Sequence, residues 1–134
     1  MIKLKDILKE GMARKDIQSV IDRVYPQIVK NLGRAKRGTP KVEVHTNIYV
    51  RLSGDAEAQG EANPDAEYEW DKNEIYLYLP KMTNEEAIIK ALLHEYTHAT
   101  QDRKKMEQYR ELGYAKNPYE KAASRAESNW KRYT

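Results

Sequence analysis

From Val42 to Leu52 the chain alternates. Val42, Val44, Thr46, Ile48, Val50 and Leu52 fall on one side of an extended backbone, and Glu43, His45, Asn47, Tyr49 and Arg51 on the other. A period of two marks a strand buried on one face, and that face must be covered by another element. Covers with a helical period lie on both sides of it in the sequence. Upstream, Ile17, Val20, Ile21, Val24, Ile28 and Leu32 recur at helical spacing, after a short amphipathic start at Ile2, Leu4, Ile7 and Leu8 that Gly11 interrupts. Downstream, Ala87, Ile88, Ala91, Leu92 and Ala99 share one helical face. The combination predicts an α+β fold with N-terminal helices, a small and mostly antiparallel sheet, a long helix after it and a C-terminal helix. At 134 residues the chain is expected to form one domain over 1–134, with a core that needs no covalent staple.

Local signals set the expected boundaries. Pro26 inside the first helical run predicts a kink or break near Tyr25, and Gly33 a stop. Residues 34–41, RAKRGTPK, read as a solvated basic turn, and residues 53–66, with two Gly, one Pro and four acids, as a loop. Over 67–79 a hairpin is expected, with its turn at Asp71-Lys72-Asn73 and Pro80 ending the second strand. Thr83-Asn84-Glu85-Glu86 reads as a capping box with Thr83 at the cap, opening a helix that runs past Gln101 toward Gly113. Asn117-Pro118 starts the last helix, with Tyr119, Ala123, Ala126 and Trp130 as its buried stripe.

Composition narrows the chemistry. There is no Cys, so disulfides, thiolate metal sites and a Cys nucleophile are excluded. A net charge of +3, from 24 basic and 21 acidic residues, gives no argument for nucleic acid as partner. The apolar runs are far shorter than the ~18 residues a bilayer span requires. Met1 to Glu10 has no signal-peptide core, so the chain is expected in the cytoplasm.

The downstream helix carries His94-Glu95-Tyr96-Thr97-His98, an HExxH pattern. Side chains four apart on a helix lie one above the other, so both imidazoles can reach one metal ion. Glu95, about 100° around the helix from His94, can take the proton of a metal-activated water and deliver it to a leaving amine. One Zn²⁺ per chain would supply the Lewis acidity. A catalytic zinc needs a third protein ligand. The segment after the helix offers Glu120 and Glu127, seven apart and on one helical face, ~10.5 Å from each other along the axis. One metal cannot use both. Asn117-x-x-Glu120 gives Glu120 a structural job at a helix start, whereas Glu127 has none beyond that of a solvated charge.

Helix, strands, HExxH helix and a following helix with Glu resemble the minimal core of the gluzincin metallopeptidases. The HExxH helix followed by an NPxE-headed helix is similar to small zincin-like proteins of bacteriophages and to the ImmA/IrrE-type peptidases, over roughly residues 42–130. The resemblance implies a zincin-like fold and a zinc-dependent peptidase. It puts His94, His98 and Glu120 on the metal, Glu95 in the role of general base and Ser124 behind the ligands. It also implies a Tyr or His donor to the oxyanion. Tyr109, Tyr114 and Tyr119 lie near the third-ligand segment, and Tyr114, between the two helices, is the expected donor. The chain departs from the pattern in places. Lys121 follows Glu120 where the ImmA type has Ala, and Ser124 stands where thermolysin-like members have Asp. Lys104 occupies the third-His position of the metzincins, and no His follows the motif as the SprT-like family requires.

His45 reads as a strand-face histidine. By the same resemblance, the strand at 74–79 or its neighbour would be the sheet edge that pairs with an extended peptide or protein substrate. The acidic stretch 55–69 reads as a solvated insertion beside it. Two other functions fit the residues. One is a zincin-fold phage or host-interaction protein that holds metal for structure. The other is a nucleic-acid-associated protein using Arg34, Lys36, Arg37 and Lys41.

Overall fold

The computed structural model describes residues 12–46 and 65–134, with the Tyr114 side chain left aside. The expected amphipathic start before Gly11, the strand beyond Thr46 and most of the loop over 53–66 lie outside the described residues. Among the described residues, four helices and a three-stranded sheet make an α+β fold: α1 (Arg14–Leu32), β1 (Lys41–His45), β2 (Ala66–Glu69), β3 (Glu74–Tyr78), α2 (Glu85–Ala99), α3 (Arg103–Arg110) and α4 (Pro118–Glu127). Single 3-10 turns precede α2 and α4, and a last one at Trp130–Tyr133 closes the chain.

Helix α1 buries Ile17, Val20, Ile21, Val24 and Ile28, and Gly33 ends it at φ 92°. Pro26 does not break it. Pro26 sits on the exposed face, and so does Asp22, whose carbonyl it leaves without a partner, so water can take that bond.

The strand order is β1-β3-β2, with β1 parallel and β2 antiparallel to β3. The sheet is therefore mixed, rather than mostly antiparallel as the hairpin pattern suggested. The hairpin itself forms. Its turn ends at Asn73, which adopts φ 54° and accepts a 2.5 Å hydrogen bond from the Tyr68 hydroxyl. Asn tolerates that left-handed conformation better than most residues. Register places Val42 opposite Ile75, Val44 opposite Leu77, and Ala66 opposite Leu77, so one apolar sheet face meets the helices.

Helix α2 is the centre of the molecule. It buries Ile88, Ile89, Ala91, Leu92, Leu93, Tyr96 and Ala99, more than one stripe, because α1, α4 and the sheet all pack on it. Its cap is Asn84, not Thr83: the Asn84 side chain accepts from the Ala87 N–H at 2.8 Å. The helix also stops earlier than its periodicity suggests, at Thr100, and Asp102 caps a separate α3 by accepting from Lys105 N–H. Trp130 lies in the closing 3-10 turn, beyond α4. No described helix is long and apolar enough to cross a membrane.

Candidate metal centre

The last turns of α2 and the first turn of α4 meet at His94, His98 and Glu120. Within α2 the two imidazoles stand one turn apart, with ring centroids 5.0 Å from each other. Tyr96, between them in sequence, points the other way. It is fully buried, packs edge-on against Tyr25 and donates to the Gly33 carbonyl at 2.7 Å, which fixes how the helix is rotated.

Helix α4 starts beside this face because Asn117, itself buried, accepts from the N–H groups of Tyr119 and Glu120 at 2.9 and 3.3 Å. Pro118 follows at the first helical position, where a missing N–H costs nothing. The Asn117 N–H is held by the Gly113 carbonyl at 3.1 Å. Glu120 is thus not needed for the return bond of a capping box, and its carboxylate turns to the imidazoles. One oxygen lies 2.5 Å from His98 Nε2 and the other 3.6 Å from His94 Nε2. Taking one ligand atom from each residue, His94, His98 and Glu120 lie within 4.8 Å of one another.

The outer nitrogens are held as well. His94 Nδ1 donates to Glu127 Oε2 at 2.8 Å, and His98 Nδ1 donates to Gln101 Oε1 at 2.7 Å. Gln101 in turn donates to the Tyr119 carbonyl at 3.1 Å, tying the end of α2 to the start of α4. Since Nδ1 carries the proton in both rings, both Nε2 atoms are directed at Glu120. Two imidazole nitrogens and one carboxylate, each imidazole oriented by an outer acceptor, form the donor set and surroundings that a divalent metal ion takes. These residues are positioned to bind one.

Electrostatics within the cluster follow from the same contacts. Burial works against a charged His94, but hydrogen bonds to Glu120 and Glu127 outweigh it and hold its pKa up at about 10. His98 is raised likewise, burial opposing and Glu120 prevailing. Burial would lift Glu120, yet the two imidazoles pull it well below the ordinary carboxylate range. Glu95 moves in the opposite direction: burial pushes it up, against the pull of both imidazoles and with help from Glu120 and Glu67. It is 8% exposed and lines a cavity of about 600 Å³ that also contains His94, His98 and Glu120.

The expected residues separate clearly. His94, His98, Glu95 and Glu120 come together. Glu127 joins them behind His94, in the place expected of Ser124. Gln101 went unrecognised in the sequence; Asp102 as a helix cap was the signal that α2 ends just before it. The Tyr114 side chain lies outside the described residues. Tyr109 and Tyr119 stack edge-on at 5.0 Å, and the Tyr119 hydroxyl accepts from the Asp102 N–H. His45 stands apart on β1, against the Tyr76 ring and 3.2 Å from Glu43. In the basic turn, Arg37 donates to the Trp70 and Asp71 carbonyls, and Lys41 pairs with Glu43 at 3.1 Å. Comparison with known proteins finds no family model, no curated protein and no solved structure that matches this chain.

Proposed function

We propose that this chain is a zinc-dependent peptidase of the gluzincin-like type, acting on peptide bonds through Glu95. One observation carries the reading. Both His Nε2 atoms converge on Glu120 while both Nδ1 atoms are tied outward, and beside them the Glu95 side chain, mostly buried, lines the same open cavity. A purely structural metal site would have no use for that carboxylate.

His94, His98 and Glu120 would hold the ion at the wall of the cavity. When bound, the metal supplies Lewis acidity to the reacting carbonyl and to water. Glu95 takes the proton of the attacking water. Desolvation raises its basicity for that step, and the same carboxyl then returns the proton to the leaving amine. Glu127 and Gln101 keep each imidazole in one tautomer and one orientation. Strand β2, the outer strand of the described sheet, borders the cavity and offers backbone groups to an extended substrate.

The deciding experiment is Glu95→Gln. This variant should keep about one zinc per chain while losing hydrolysis of an unstructured protein substrate such as casein. Equal hydrolysis by the variant and the wild type would refute the role of Glu95. Zinc retained by a wild type that cleaves nothing would favour a metal held for structure.

A further inference from the structure

We propose that α3 is a hinged lid on the cleft, latched to the β2–β3 turn by the ion pair between Arg103 and Asp71, so that release of this pair widens the way to the metal centre. The proposal goes beyond the peptidase reading and does not rest on it, since the motion of a lid can be followed without turnover.

The two sides of the latch differ in how firmly they are held. The turn is fixed. Arg37 donates to the carbonyls of Trp70 and Asp71, the Asn73 side chain donates to the Gly38 carbonyl at 3.2 Å, and the Tyr68 hydroxyl donates to Asn73. Helix α3 has looser support. It has 8 residues, fewer than the ~12–15 a helix needs to persist alone in water, so its place is set by its contacts. Met106 is its one buried side chain, and it lines the cavity outside the main apolar core. The chain breaks on both sides of α3, at Thr100 to Asp102 before it and at Gly113, with φ 80°, after it. Tyr109 stacks edge-on against Tyr119 of α4, whose hydroxyl accepts from the Asp102 N–H at 3.4 Å. Neither ring lines the cavity, so this contact can act as the pivot.

The face of α3 that borders the cavity carries Arg103, Met106, Glu107 and Arg110, three and four residues apart. From it Arg103 Nη2 reaches Asp71 Oδ1 at 2.7 Å, while Glu107 lies 3.6 Å from Arg103 Nε on the same helix. Both members of the pair line the cavity, and their side chains are 51% and 74% exposed, which puts the pair at the rim. An exposed ion pair between two rigid elements has little consequence. This one joins a fixed turn to a loosely held helix across the cavity that contains His94, His98 and Glu120. A weak, salt-screened contact there biases the helix toward the closed position and releases it readily.

The chain has no Cys, so spin labels introduced with Lys72→Cys in the turn and Gln108→Cys on α3 report on this gap alone. Both positions are exposed, and neither lines the cavity. Double electron–electron resonance on the full-length, labelled protein should show a main distance and a minor, longer one. Asp71→Asn should raise the longer population about threefold, as expected for the loss of one exposed ion pair, and Arg103→Gln should do the same. The two substitutions together should do no more than either alone, because both remove one interaction. Salt at ~1 M, where the screening length falls to ~3 Å, should reproduce the shift in the labelled parent and leave the variants unchanged. A single distance, the same in every variant and at every salt concentration, overturns the proposal. So do single-variant effects that add, or a salt response that survives Asp71→Asn. Casein hydrolysis by the same proteins separates the two readings. A latch that opens in a protein that cleaves nothing upholds this inference and counts against the peptidase, whereas cleavage with α3 fixed does the reverse.

Discussion

Glu127 and Glu120 hold opposite sides of one imidazole: Glu127 accepts from His94 Nδ1 at 2.8 Å, while Glu120 faces His94 Nε2 at 3.6 Å. The two acids that compete for the third-ligand position in the sequence thus take different places: Glu120 stands with the two Nε2 atoms in the group positioned to bind a metal, and Glu127 lies behind His94. Glu120→Ala should remove most metal binding, since it deletes one of three ligands. Glu127→Ala should weaken it by about 10–100-fold, the usual effect of losing a partner behind a metal-bound His. A zinc titration against a competing chelator orders the two. The reverse order would move the ligand to Glu127.

Gln101 offers a second test of the same architecture. Its carbonyl oxygen orients His98 and its amide N–H holds the Tyr119 backbone, so Gln101→Leu removes both links. Metal affinity should fall about tenfold or more. Gln101→Glu should restore much of it, because a carboxylate accepts from His98 Nδ1 even though it cannot donate to Tyr119. Titrations in which Leu and Glu behave alike would show that His98 does not depend on this acceptor.

What could be read from the sequence followed the range of the interactions. The spacing of His94 and His98 is local to one helix, and their convergence is a property of helical geometry. The Asn117 cap is local as well, and α4 begins where it says. Glu120 against Glu127 could not be decided that way, because the choice depends on how α2 crosses α4. The end of α2 was misjudged because apolar positions such as Met106 continue its period into α3, although the chain breaks between them at Thr100 to Asp102. That break puts Gln101 back onto His98. The β2–β3 hairpin was legible through its turn. The parallel β1–β3 pairing was not, since nothing within either strand specifies a distant partner.

Without metal, stability should peak in mildly acidic solution. His94 binds its proton more tightly when folded, with a pKa raised from 6.5 to about 10, so its contribution is fully present below pH 6.5 and is lost as pH rises through about 10. Glu120 is lowered from 4.5, so its contribution is present above pH 4.5 and is lost as pH falls. Glu95 is raised by burial, so its contribution is present below pH 4.5 and declines above it, and the chelator-treated protein should therefore melt highest toward the acid end of the range from about pH 4.5 to 6.5. Metal shifts the balance toward neutral pH, because the ion must displace protons from the imidazoles. Melting curves across pH check this. A metal-free profile identical to that of Glu120→Gln would show that the cluster does not govern it.

Asn117 joins stability to the site. It is 4% exposed, caps α4 through the N–H groups of Tyr119 and Glu120, and sets the turn from which the Glu120 carboxylate reaches the imidazoles. Asn117→Ala removes the capping oxygen and should cost about 1–2 kcal/mol. It should also lower metal affinity, because a frayed first turn no longer holds Glu120 in place. Asn117→Asp keeps an acceptor at the cap, and a negative charge at a helix N-terminus is favourable, so it should retain most of the stability. Next to Glu120 that added charge should also leave metal binding intact or tighter. Thermal melts with and without zinc distinguish the two effects. A loss of stability in Asn117→Ala with unchanged zinc affinity would show that Glu120 is held by its contacts with His94 and His98 and not by the cap.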